Sequence, residues 1–332
     1  MKIIVMLALL LSACMLFAQT PPPAAAPQPP PAAAPQAAPE TAPQSAPPAQ
    51  PEISPQLKQA QELNRDGKQA EALAILTTML ATDPDNYEVN ISAGSVLDLM
   101  GDYDKARTYL KHAIEVAPTD RRVQSLRTMA VSYAFQCDMQ KVLNFEQLAA
   151  ETQMNAQKLT DAAGIYNELA RIYLECGDAA SANKWYQTGY QTAVKSLNVP
   201  EADRDLWSFR WQSAKARVAA REGKAAEANT DLTAAKALLD AGKVPANQKV
   251  FYPYLTGYLA FYAGNYKTAI EELQKADQKD PFILALLAQA YEKSGNNDEA
   301  MKLYRQILTI NAHNPTNAFA RPLAKKKLGM TS

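Results

Sequence analysis

A pattern of glycine and small residues returns after 34 residues, and this spacing constrains the fold more than any other feature of the chain. Gly67, Ala72 and Pro84 are answered by Gly101, Ala106 and Pro118, each pair 34 positions apart. Looser copies follow at Gly177/Ala182, Gly223/Ala228, Gly264/Ala269/Pro281 and Gly295/Ala300. A repeat of this length signals stacked units, none of which can bury its apolar face alone. Between the turn signals the chain is rich in Ala, Leu, Lys, Glu and Gln, good helix formers, with no strand-like alternation. An all-α body follows.

The second copy shows why the spacing takes the form it does. Gly101-Asp102-Tyr103 turns between two helical stripes, the later one carrying Ala106, Tyr109, Leu110, Ala113 and Ile114. Glycine suits this turn because a left-handed backbone strains any residue with a Cβ. Small residues at Gly94 and Ala106 let the two helices approach, and Pro118 sits beyond the last turn, where it no longer breaks a helix. The pattern resembles the tetratricopeptide repeat. In that register repeats fall at about 53–86, 87–120, 123–156, 163–196, 209–242, 250–283 and 281–314. The third departs from it: Cys137-Asp138-Met139 replaces Gly-Asp-Tyr, and Val142 replaces the packing alanine. Turn spacing drifts to 36, 40, 46, 41 and 31 residues after the first interval, so loops such as Asn198-Val199-Pro200-Glu201 and Gly242-Lys243-Val244-Pro245 absorb the excess. The resemblance implies a right-handed α-α superhelix over 56–315 with an inner channel free for a guest. The C-terminal helix and tail, 316–332, would cap it, with Asn317 to Leu328 helical and Lys325, Lys326 and Lys327 solvating the open end or offering a basic docking patch.

Ahead of the repeats, residues 1–18 carry Lys2 and then an apolar run broken only by Ser12, the layout of a secretory signal. The run is short of the roughly 20 apolar residues a spanning helix needs. Two processing routes are open. Leu11-Ser12-Ala13-Cys14 resembles a bacterial lipobox that would place a lipid on Cys14, whereas cleavage after Ala18 would release a soluble protein. Residues 19–55 form a Pro/Ala-rich linker holding 14 of the chain's 22 prolines. Prolines fix φ and remove amide donors, so this segment is expected to be disordered and extended, a tether rather than a domain.

In the repeat family, positions 2, 5, 9, 12 and 13 of each unit point into the groove. The resemblance therefore makes Arg210, Arg217 and Arg221 of the fifth repeat candidate partner-binding residues. It does the same for Phe251, Tyr254, Tyr258, Phe261 and Tyr262 of the sixth. Arg217 and Arg221 share a helix face, as do Tyr254 and Tyr258. The packing positions of repeat six go to Thr256, Gly257, Ala260, Tyr266 and Ala269, which leaves the surplus rings for a guest. Such rings could instead knit neighbouring repeats together. The carboxylate-gripping mode of the family does not carry over, because Leu57 and Gln61 stand where Lys and Asn belong.

Catalytic and metal chemistry have little support. Lys and Arg number 34 against 34 Asp and Glu, without the basic excess of a nucleic-acid binder. His112 and His313 lack ligand or triad patterns. Cys137 and Cys176 fall at neighbouring turns, so a disulfide is conceivable in an oxidising compartment; such turns are expected about 10 Å apart, beyond the roughly 7 Å reach of a bridge, which favours reading both as small buried hydrophobes. Asp83-Pro84-Asp85-Asn86 lacks the glycine and closing glutamate of a calcium loop. Glu271 and Glu272 are adjacent rather than co-facial.

The sequence thus points to an exported, non-enzymatic scaffold that needs no cofactor or metal. It would hold a protein or peptide in the periplasm or cell envelope and touch a membrane only through a lipid at Cys14. An outer-membrane assembly lipoprotein and an accessory domain recruiting an envelope hydrolase are the alternatives. A carboxylate pair with raised pKa values in a cleft would favour the latter.

Overall fold

A computed structural model describes residues 53–195 and 199–330. The leader, Cys14 and nearly all of the linker lie outside the described residues, as does Asn198. Among the described residues there are fifteen α-helices and no strand. They run α1 (Pro55–Arg65), α2 (Gln69–Thr82), α3 (Tyr87–Met100), α4 (Tyr103–Val116), α5 (Arg122–Ala134), α6 (Met139–Asn155), α7 (Leu159–Glu175) and α8 (Ala179–Val194). There follow α9 (Glu201–Arg221), α10 (Ala225–Asp240), a 3-10 turn (Ala246–Phe251), α11 (Tyr252–Tyr262), α12 (Tyr266–Leu273), α13 (Pro281–Lys293), α14 (Asn297–Leu308) and α15 (Pro315–Lys327). Consecutive helices pair as seven antiparallel hairpins, each packed on the next. The fold is an all-α helical-repeat superhelix.

Local chemistry places the hairpins. Gly101 ends α3 at φ 100°, and its N–H and that of Asp102 return to the Leu97 carbonyl, each at 2.9 Å. At Gly94 a Cβ would lie 2.5 Å from Leu110 Cγ and 3.0 Å from the Ala106 carbonyl. Only glycine permits the observed approach of α3 to α4. The drifting turn spacing is taken up largely by helix length: α9 runs 21 residues and begins at Glu201, ahead of the register.

The two cysteines correct the sequence reading. Cys137 and Cys176 are disulfide-bonded, with Cα atoms 5.8 Å apart, and Cys137 is exposed rather than buried. Cys137 takes the left-handed position that glycine holds in the other turns, at φ 51°. Cys176 caps α7, just before Gly177. The departure from glycine in the third repeat thus puts a thiol at the rim of one turn, within reach of the next.

The C-terminal segment also departs from expectation. Instead of only capping the open end, α15 crosses the stack. It packs on α13 and α14 and also on α5 and α7 of the earlier repeats. Ala318 enters the core formed by Leu99, Ala130, Val131 and Leu169, while Ala320 and Ala324 pack on Leu284, Ala285 and Ala288. Arg321, only 8% exposed, donates to the carbonyls of Leu99 (2.8 Å), Leu308 (3.1 Å) and Ile310 (3.3 Å) and to Asn311 Oδ1 (3.2 Å). Lys325 donates to the Met100 carbonyl at 2.9 Å, and Lys327 pairs with Glu292 at 2.8 Å. Just upstream, Asn311 reaches the first repeat, accepting from Gln69 at 2.7 Å and donating to the Arg65 carbonyl at 3.3 Å. Short side chains on α15 permit this close seating. The chain's end therefore covers the inner side of the early repeats, and the expected open channel is closed there.

Candidate functional site

The sequence-selected residues separate into two groups. Tyr258 is 0% exposed, Tyr254 8% and Arg217 9%, so these side chains lie between repeats rather than in open solvent, with Tyr254 and Arg217 along the wall of an inner cavity. Tyr258 lies 4.7 Å from Tyr262 and 5.8 Å from Tyr254, ring centre to ring centre, with Phe282 of α13 at 6.5 Å. The rings left over from packing within repeat six are used between repeats five, six and seven. This corrects the expectation that they stand free for a guest. Phe261 is half-buried against the same core, its ring edge-on to Tyr262 and Tyr266. Arg210 and Phe251 remain exposed.

Charges are threaded through this aromatic layer. Arg221 on α9 donates to the Tyr262 hydroxyl at 2.9 Å and to Glu175 of α7 at 3.3 Å. Burial of Glu175 raises its carboxyl above the ordinary range, against the opposing pull of Arg171, Arg221 and Arg217. Arg171 lies 4.8 Å above the Phe282 ring and 5.6 Å from Tyr254, and Arg217 lies 5.3 Å from Tyr186. Burial works against the Arg217 charge, but the oxygens of Tyr186, Tyr254, Tyr258 and Glu175 outweigh it, leaving its pKa raised.

Between α7, α9, α11 and the start of α15 is a cavity of about 660 Å³. Asn167 and Arg171 of α7, Tyr186 of α8, and Phe209, Arg210, Ser213 and Arg217 of α9 form one side. Phe251, Tyr254, Leu255, Asp280 and Asn314 to Thr316 close the other. Sequence reasoning missed Arg171, Asn167 and Tyr186. Applied to the fourth repeat, the same groove positions give Asn167 at position 5 and Arg171 at position 9. Tyr186 belongs to a second helix, which that rule does not scan. Asn314 to Thr316 arrive only through the crossing of α15.

Both histidines are paired. His112 Nε2 lies 2.8 Å from Asp85, and hydrogen bonding to that carboxylate raises its pKa. His313 Nε2 lies 2.8 Å from Asp98, whose other oxygen accepts from Ser132 at 2.9 Å. This is a buried Ser-Asp-His line with the aspartate in the middle. The imidazole therefore cannot take the serine proton as a base, and the group serves instead as a tie between the C-terminal segment and the second and third repeats. Among the described residues no cluster of His, Cys, Asp or Glu could hold a metal ion, and no helix is long and apolar enough to cross a membrane.

One carboxylate stands out chemically. Glu146 of α6 is fully buried, and neither of its oxygens has a hydrogen-bond partner. Burial, and after it the Glu168 charge, hold its pKa well above the ordinary value despite Arg127. It is sealed from the cavity, which Glu168 alone lines while paired with Arg127. A carboxyl protonated in the fold contributes its full stability below the unfolded pKa of about 4.3. That contribution is lost as pH rises toward the folded value, by up to about 1.4 kcal/mol per pH unit. Glu146→Gln is therefore expected to melt higher than wild type at pH 7, with the difference vanishing near pH 4. Equal melting shifts at the two pH values would show that Glu146 is not carried neutral.

Comparison with known proteins agrees with the architecture. The tetratricopeptide repeat family model matches residues 63–130 and 260–318. A TPR repeat-containing protein of Methanocaldococcus jannaschii is 26% identical over 245 residues, covering 72% of this chain and 39% of that protein. The chain thus spans well under half the length of this curated relative. Among solved structures, a tetratricopeptide repeat protein from Parabacteroides merdae is similar, with a TM-score of 0.47 and 12% identity over 82% of this chain and 97% of that one. The chain carries tetratricopeptide repeats over residues 63–130 and 260–318.

Proposed function

We propose that this protein is an exported interaction scaffold whose protein or peptide partner docks at the mouth of the inner cavity, on Arg210, Val250 and Phe251. The observation that carries this reading is an apolar pair left in solvent beside a cation. Val250 is 58% exposed and Phe251 50%, and Phe251 shares the cavity wall with Arg210. Arginine and aromatic side chains at a rim are efficient anchors because each removes a large area from water. The crossing of α15 favours a partner at this mouth over one threaded along the whole channel. Export is supported by the leader-like residues 1–18 and by the Cys137–Cys176 bond, a linkage that persists in oxidising compartments.

The test is capture from envelope extract by the wild type and by the double variant Arg210→Glu/Phe251→Ser. Both side chains are exposed, so folding should be unaffected, and at least a roughly tenfold loss of the captured partner is expected, about 1.4 kcal/mol. Identical capture by the two proteins would remove the mouth as the docking site. The mass of the mature N-terminus separates a lipid on Cys14 from cleavage after Ala18.

A further inference from the structure

We infer that the cavity behind this mouth is a binding site for a small organic anion. Arg171, Arg217 and the Tyr186 and Tyr254 hydroxyls would hold its oxyanion, and Phe209 and Leu255 would receive its apolar body. Four observations lead there. First, the donors are buried and unused. Tyr186 (3% exposed) and Tyr254 (8%) both line the cavity, and neither hydroxyl has a hydrogen-bond partner. Arg171 Nη2 and Ser213 Oγ are likewise buried without partners. Buried polar groups are rarely left unsatisfied, because each lost partner costs about 1–3 kcal/mol.

Second, Arg217 is 9% exposed, yet its one hydrogen bond among the described residues is a long contact of 3.4 Å from Nε to the Ser213 carbonyl. Its guanidinium fork is otherwise free for the paired contacts that carboxylates and phosphates accept. Third, the nearby acids are already engaged. Glu168 pairs with Arg127, and Asp280 accepts from the Phe282 amide at 2.8 Å as the cap of α13; Glu175, outside the cavity lining, accepts from Arg221 through one oxygen and lies 4.0 Å from Arg171 Nε through the other. In the cavity lining the guanidinium groups of Arg171, Arg210 and Arg217 face the carboxylates of Glu168 and Asp280, and the first turn of α15 adds its positive end at Asn314 to Thr316. Fourth, about 660 Å³ lies within the usual range of small-molecule sites, roughly 300–1,000 Å³. This inference goes beyond the docking reading, since the anion sits inside the cavity and the partner outside it.

The test is isothermal titration of the full chain with phenyl phosphate, benzoate and neutral benzyl alcohol. At least one of the two anions is expected to bind about tenfold or more tightly than benzyl alcohol, and whichever is tighter distinguishes a phosphate from a carboxylate source. Arg217→Gln should weaken that anion by about tenfold or more. Tyr254→Phe, which removes one oxygen and leaves the ring, should weaken it several-fold and keeps the test decisive if the arginine variant misfolds. Wild type that binds neither anion at 10 mM overturns the inference, as does anion binding that Tyr254→Phe leaves unchanged. Inorganic phosphate binding as tightly as phenyl phosphate overturns the role of Phe209 and Leu255. A Val250→Ser protein, changed at an exposed residue outside the cavity lining, should capture its partner more weakly yet retain Arg217-dependent anion binding, so either reading can fail without the other.

Discussion

Replacing Tyr258 with alanine is expected to destabilise the protein by about 3–5 kcal/mol, the range for removing a large buried ring. Tyr258 is among the largest fully buried side chains, and it touches rings from its own helix and from α13. Its removal would leave a void at the junction of repeats five, six and seven, where little can collapse because the neighbours are rings locked against arginines. The hydroxyl should behave differently from the ring. It has no hydrogen-bond partner, and burial followed by the Glu175 charge holds its pKa well up. Tyr258→Phe therefore discards an unsatisfied buried group and should change stability by less than about 1 kcal/mol. Chemical denaturation of the two variants separates the possibilities. An alanine variant as stable as wild type would mean that the ring is not structural.

Arg321→Ala is expected to cost roughly 3–5 kcal/mol and to release α15 before the rest of the stack unfolds. The side chain binds three backbone carbonyls drawn from α3 and from the end of α14 and its following segment, so it ties the chain's last helix to its early repeats. Without it the Leu99 and Leu308 carbonyls lose their side-chain donor, while Ile310 keeps only the Asn317 amide at 2.9 Å. Lysine should not restore the contact, since one ammonium cannot span the positions a planar fork reaches. Amide hydrogen exchange is the informative measurement. Faster exchange in 315–327, with α9 to α12 unchanged, is the expected result. Uniform acceleration would mean that α15 is part of one cooperative unit rather than a closing segment.

Removal of α15 would uncover Leu99, Val131, Leu169 and Ala285 together, and so turn a folded surface into an aggregating one. The binding surface and the closing helix are thus coupled. Whatever docks on this protein meets a stack whose inner face is partly occupied by its own C-terminus, and the cavity that remains is bounded by Asn314 to Thr316 of that same segment.

Local features were legible in the residues. Gly101 and Pro118 marked the turn and the end of a hairpin because backbone conformation at those points depends on one residue at a time. Gly94 with Ala106 marked close helix approach for a similarly local reason. The groove positions were legible as a helix face, and that face is where Arg217, Tyr254 and Tyr258 lie. Whether such a face meets solvent or another repeat depends on how far neighbouring helices close upon it, and no spacing within one repeat encodes that distance. The disulfide was ranked below a buried-thiol reading for the same reason: the separation of two turns, 5.8 Å between Cα atoms here, belongs to the stack and not to either turn.

By itself, then, the chain determined that helices pair in hairpins and that the hairpins stack, since period, turn chemistry and apolar stripes act over a few residues at a time. Only the tertiary structure decided that the C-terminal segment would return to the early repeats, bury Tyr254 and Tyr258 between helices and leave an arginine-lined cavity beside them. Contacts such as Arg321 with Leu99 and His313 with Asp98 join residues more than two hundred positions apart. Their energies exist only once the curvature of the whole stack has brought the two ends together.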